Sequence, residues 1–304
     1  MTQPALIEAL TKRVLLGDGA MGTQLQLAGL EPGECGEAWN LDHPGRVVRI
    51  QKGYAEAGSD LLITNTFGAS RIMLGRHGEA GRTVAINRAA VAIAREALGG
   101  RGYVLGDIGP FGGLMEPLGE VPQDDVEQAF LEQARALVDV GADGIIIETQ
   151  TALEEVGIAV AAARAAGAPV IIASFAFDRM ADEDDVRTMM GVGPEQAAEF
   201  AAEQGCHLIG LNCGTGVDVR LAAQVVRRFR AACSLPVMAQ PNAGAPVLED
   251  MKVIYKQSPE EMTAELEDLL EAGARVVGDC CGSTPAHIQA FRRAIDRFNA
   301  ERSA

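Results

Sequence analysis

Two adjacent cysteines, Cys280 and Cys281, end the stretch Arg275-Val276-Val277-Gly278-Asp279, and a third, Cys213, closes Leu208-Ile209-Gly210-Leu211-Asn212. In both places a short apolar run gives way to a glycine just past the thiols, Gly214 or Gly282, as a buried strand does when it enters a turn. Ser283 or Thr284 then reads as a helix cap, with Pro285 in the first turn. The C-terminal ends of strands are where α/β proteins place their chemistry. Three thiols there suggest a metal site, and zinc held by three protein ligands with a fourth position open is the catalytic pattern. Neighbouring strand residues point to opposite faces, but at a strand-to-loop transition relaxed by Gly282 both can turn to one ion. A vicinal disulfide and plain core thiols are the alternatives. Three thiolates neutralise Zn2+, so the ion would activate water poorly and suit a soft, exchangeable sulfur ligand better. A substrate thiol bound there would lose its proton well below the ~8.5 of a free cysteine. The chemistry indicated is alkyl transfer to a thiol. Cys35, Cys206 and Cys233 lie in a loop, before a strand and after a helix, and read as inert.

The elements that must position these sulfurs recur along the chain. Apolar runs at Val14–Leu16, Leu61–Phe67, Tyr103–Asp107, Gly144–Thr149, Val170–Phe175, His207–Asn212, Pro236–Gln240 and Arg275–Gly278 alternate with segments of helical spacing, the last over 285–299. A short lead-in helix is expected over about 1–13. Strands that are apolar without alternation belong to a parallel sheet buried on both faces. Eight strand-helix units in this length predict an α/β fold, a single (β/α)8 TIM barrel over 1–304, with a doubly wound open sheet as the alternative. A barrel brings its strand ends to one face. Asp18, Asn65, Asp107, Glu148, Ser174, Cys213, Gln240 with Asn242, and the cysteine pair would therefore share a site. The acidic segment 178–187 reads as a solvated loop.

The chain has 304 residues, of which 48% are hydrophobic and 22% charged, enough for a sizeable core. A net charge of −16 argues against nucleic acid or an anionic membrane as partner. No apolar run approaches the ~18–20 residues that span a bilayer, and the N-terminus lacks the basic and apolar regions of a signal peptide. A cytoplasmic location is expected, where thiols stay reduced.

The segments GDGAMGTQLQ (17–26), GSDLLITNTFGAS (58–70), GDIGP (106–110), DGIIIET (143–149), GLNCG (210–214), QPNAGAP (240–246) and GDCCGSTPAHI (278–288) resemble the homocysteine S-methyltransferase family. That family includes the homocysteine-binding barrel of cobalamin-dependent methionine synthase and the betaine-homocysteine methyltransferases. The resemblance implies zinc on Cys213, Cys280 and Cys281, homocysteine sulfur as fourth ligand, and methionine as product. It also implies Glu148 on the substrate's α-amino group, and Asp18 with the turn Gly19, Ala20, Met21, Gly22 and Thr23 around the amino-acid end. Asn242 would lie near the metal. The chain departs from the family pattern at Asp279, Ser283 and Met190, where glycine, threonine and threonine are usual. TNTFGAS and PNAG are more like the methionine synthase module than the betaine enzymes. The methyl donor stays open between a methylated sulfonium, a betaine-type ammonium and a corrinoid, which on a chain ending at 304 would come on a separate protein. The alternatives are a subunit of a corrinoid-dependent methyltransferase or demethylase system, and a zinc- or thiol-binding sensor without turnover.

Overall fold

The computed structural model describes residues 5–181, 185–249 and 252–303. Eight strands are all parallel to their paired neighbours: β1 (Leu15–Leu16), β2 (Leu61–Ile63), β3 (Tyr103–Ile108), β4 (Gly144–Gln150), β5 (Ile171–Phe175), β6 (Leu208–Asn212), β7 (Val237–Gln240) and β8 (Ala274–Val277). Their order is β1-β8-β7-β6-β5-β4-β3-β2, that of a (β/α)8 barrel and not of a doubly wound sheet. The ladder stops short of closing between β1 and β2. That seam is stitched by Asp60 N–H to Leu16 C=O at 2.7 Å, Leu16 N–H to Asp60 Oδ2 at 2.8 Å and Ile63 N–H to Asp18 Oδ2 at 2.8 Å.

Side-chain alternation explains how one strand serves two layers. Ile145 and Ile147 of β4 face the outer helices, in the same buried cluster as Val156, Val160 and Phe130. Leu105, Ile146, Ile172, Leu208 and Met238 form a second cluster inside the barrel. The lead-in helix, Leu6–Lys12, joins that inner cluster through Leu6, Ala9 and Leu10 and plugs the N-terminal end. Residues 1–4 of the expected helix lie outside the described residues. Two positions further along the same strand faces the apolar layer changes to Asp107, Glu148, Ser174 and Gln240. The upper half of the barrel interior is therefore a polar floor.

The helices follow the expected register, with prolines opening those at Pro44, Pro194, Pro259 and Pro285. Between β7 and β8 the helical segment is split in two, Pro259–Ala264 and Leu266–Glu271, because the Glu265 N–H bonds back three residues to Met262 and tightens the last turn. The acidic segment 178–187 is not simply a solvated loop: Asp178–Arg179 pairs antiparallel with Val186–Arg187, and Val186 is buried. Its residues 182–184 lie outside the described residues. No helix among the described residues is long and apolar enough to cross a membrane.

Candidate active site

At the C-terminal face the strand ends surround a cavity of about 420 Å3. It brings together Asp18, Gly19, Ala20, Met21, Gly22, Thr23, Asn65, Asp107, Glu148, Gln240, Asp279 and the three cysteines. Among the described residues that line it are six with carboxyl side chains and no lysine, arginine or histidine.

The sulfurs of Cys213, Cys280 and Cys281 lie within 4.8 Å of one another, and Cys281 Sγ is 3.9 Å from each of the other two. All three are free, so the pair is not a vicinal disulfide. A tetrahedral ion with metal–sulfur bonds of about 2.3 Å needs sulfurs about 3.8 Å apart. The donor set and its spacing fit zinc. Protons also report on the cluster. The Cys280 and Cys281 thiols hydrogen-bond the Cys213 sulfur, holding it as a thiolate well below the usual range. The same bonds push the Cys280 and Cys281 thiols up.

Backbone geometry aims the sulfurs. Cys213 has φ 57° and Gly214 φ 82°, so the chain turns sharply at the end of β6. A Cβ on Gly214 would sit 1.8 Å from the Phe177 carbonyl oxygen. Asn242 joins the two cysteine loops. Its Oδ1 accepts the Cys281 N–H at 3.0 Å, and its Nδ2 donates to Gly214 C=O at 3.1 Å and lies 3.8 Å from Cys213 Sγ. Asn242 thus braces both cysteine loops from outside the cavity wall. Tyr255 hydrogen-bonds the Cys281 side chain and packs so closely on Gly282 that a Cβ there would meet it at 2.2 Å.

The opposite wall is carboxylate. Asp18 spends Oδ2 on the β1–β2 seam, and burial outweighs its backbone hydrogen bonds and pushes it up to about 7. Burial first, then Asp18 and the Cys213 sulfur, push Glu148 up to about 8. No lysine, arginine or histidine among the described lining residues offsets that burial, and a bound cation would favour the charged form of both acids. Glu148 precedes Thr149, a β-branched residue at φ 57°. Strain of this kind persists only where the surroundings enforce it. Here Asn212 does, accepting the Thr149 N–H at 3.0 Å and donating to Thr149 Oγ1 at 2.7 Å, while Ser174 Oγ donates to Asn212 Oδ1 at 2.6 Å. Ser174 therefore supports the floor and does not line the cavity. The turn after β1 is tied to the cysteine loop by Ser283, whose Oγ accepts the Ala20 N–H at 3.0 Å and donates to Cys280 C=O at 2.9 Å. Thr284, not Ser283, is the residue that precedes the last helix and bonds its first turn. With the Ala20 N–H committed, fewer backbone donors of this turn are left for a ligand.

A family model described as homocysteine S-methyltransferase matches residues 15–295, from the first barrel strand into the last helix. The chain belongs to the homocysteine S-methyltransferase family. The methionine synthases of Mycobacterium tuberculosis and Mycobacterium leprae are 36% and 35% identical over 95% and 97% of this chain. The chain spans about a quarter of the length of these curated relatives (25% of each). Among solved structures, the metallated homocysteine methyltransferase MmuM of Escherichia coli superposes with a TM-score of 0.77 over 95% of this chain and 99% of the other. At 22% identity that likeness speaks for the barrel. Asn212, Thr149 and Ser283 lie inside the motifs GLNCG, DGIIIET and GDCCGSTPAHI, whose residue types give no sign of these hydrogen bonds, and Tyr255 lies in none of the motifs.

Proposed function

We propose that this chain transfers a methyl group to the thiol of homocysteine, forming methionine. The observation that carries the reading is the pairing of a three-thiol cluster with a carboxyl-lined wall in one cavity. Homocysteine has the complementary ends, a thiol and an ammonium. Cys213, Cys280 and Cys281 would hold zinc, which supplies a soft Lewis acid that favours the thiolate of a bound thiol.

The chain's own residues do the rest. Asn242 and Tyr255 hold the cysteine loops, so that the three sulfurs are arranged before a ligand arrives. Glu148, fixed by the strained Thr149 and Asn212, offers its carboxylate to the α-ammonium, and Asp18 offers its uncommitted oxygen. The backbone of Gly19 to Thr23 faces the carboxylate end. Substrate is thereby held at both ends with its sulfur toward the cluster, and correct orientation is a large part of the rate. No general base is required once the thiol proton has left, and the methyl donor is attacked in line.

The test is methionine formation from homocysteine by zinc-replete protein, with a methylsulfonium, a betaine-type ammonium and a methylated corrinoid protein offered separately as donors. Turnover with one of the three is the expected result. If none supports methionine formation while the protein binds homocysteine, the chain is a binding module and the reading fails.

A further inference from the structure

We propose that Asp107 is a specificity-determining residue, the third member of a carboxyl cup with Asp18 and Glu148 that selects an acceptor carrying an α-ammonium. The inference rests on the amino-acid substrate proposed above and gives a role to a residue that the strand-end pattern places in the site without one.

An ammonium group has three N–H donors and no acceptor. Asp18 has already given one oxygen to the Ile63 N–H, so Asp18 and Glu148 together have three carboxyl oxygens left for it, with no acceptor to spare. Asp107 lines the same cavity and is 3% exposed. Its position is fixed by its own main chain. The N–H donates to Thr64 Oγ1 at 3.0 Å, and the carbonyl accepts from Thr66 Oγ1 at 2.7 Å and Gln133 Nε2 at 3.1 Å. Strand register puts it beside the ammonium wall, since Asp107 pairs with Ile146 on β4 and Glu148 lies two residues further along the same face. Yet its Oδ1 is buried without a hydrogen-bond partner.

A buried carboxyl oxygen without a donor is costly, and native proteins keep few of them. The lining residues supply no cationic side chain to relieve it, so the missing donor comes with the ligand. Asp107 is also electrostatically part of the cup: after burial, its strongest neighbour is Glu148, followed by Glu37 and Asp18. Asp279, whose carboxyl oxygens are likewise unpartnered, also lines the cavity, next to Cys280 in the chain and with its N–H on the Asp18 carbonyl at 2.9 Å.

The experiment compares binding of methionine with binding of 4-(methylthio)butanoate, the same molecule without its amino group, to zinc-loaded wild type, Asp107→Asn and Asp107→Ala by calorimetry. Wild type is expected to prefer methionine. Asp107→Ala should weaken methionine on the order of tenfold or more, as for loss of a hydrogen bond to a charged group, with Asp107→Asn between the two. Affinity for the deaminated analogue should stay within about twofold in both variants. Both should melt no lower than wild type without ligand, because a buried carboxyl group with an unpartnered oxygen has been removed. Equal weakening of the two ligands, or unchanged methionine affinity, overturns the assignment to Asp107 while leaving the amino-acid reading intact. A wild type that does not prefer methionine overturns that reading and this inference together.

Discussion

Cys281→Ser is expected to abolish turnover. Cys281 is the central sulfur, 3.9 Å from both Cys213 and Cys280, and serine offers a hard, neutral oxygen on a shorter bond in its place. Structural zinc in zinc-finger peptides is held by about 10–16 kcal/mol over four ligands, roughly 3–4 kcal/mol for each, so loss of one thiolate here should cost on the order of several hundredfold in affinity. The fold should survive, because the link from Asn242 to this loop runs through the Cys281 backbone N–H and not its sulfur. Steady-state methionine formation and metal content measured on the same preparation check this. A variant that keeps a near-wild-type rate would sink the zinc mechanism.

The second large effect is a backbone one. Gly214→Ala should destabilise the protein by about 3 kcal/mol or more and empty the metal site at the same time. A methyl group there would lie 1.8 Å from a main-chain oxygen, at a φ of 82° that disfavours any side chain. Phe177, which carries that oxygen, cannot retreat: it is 1% exposed and its ring packs on Phe175 and Phe229 at 6.2 and 5.9 Å between centroids. The strain therefore falls on Cys213, one residue away. Gly167→Ala is the control, since Gly167 has a similar φ of 77° but open space where the Cβ would go. It should lose only the ~1 kcal/mol of a left-handed alanine. Thermal unfolding of the two variants separates the contributions. Similar losses would mean that the Phe177 contact is not what requires glycine.

The barrel could be read from the sequence because a parallel strand buried on both faces leaves an apolar run that local composition reveals, as in Gly144-Ile145-Ile146-Ile147. The cysteines could be read because thiols at strand ends are rare and chemically specific. Other features depend on partners far along the chain. Ser283 looks like a helix cap until the fold brings Ala20 to it, 263 residues away. Asn212 looks like one more strand-end polar group until Thr149 is seen in its left-handed conformation. Asn242 was placed near the metal, yet nothing in its motif indicated that it would hold the two cysteine loops together. The two-residue strands at Asp178–Arg179 and Val186–Arg187 are too short to show a period, and the hairpin of Val247–Glu249 with Lys252–Ile254 is exposed enough to read as loop. The carboxyl excess of the cavity wall is scattered along the sequence, from strand ends (Asp18, Asp107, Glu148, Asp279) and from the loop holding Glu34 and Glu37, and only the barrel gathers it.

The central claim is that Cys213, Cys280 and Cys281 together hold one zinc ion. The measurement that tests it most directly is the metal content of wild type and Cys213→Ala, purified side by side under reducing conditions and repleted with zinc. The account predicts about one zinc per chain in wild type and loss of it in the variant, with the barrel folded in both. Wild type that takes up no zinc after repletion, or a Cys213→Ala protein that keeps it, would contradict the account.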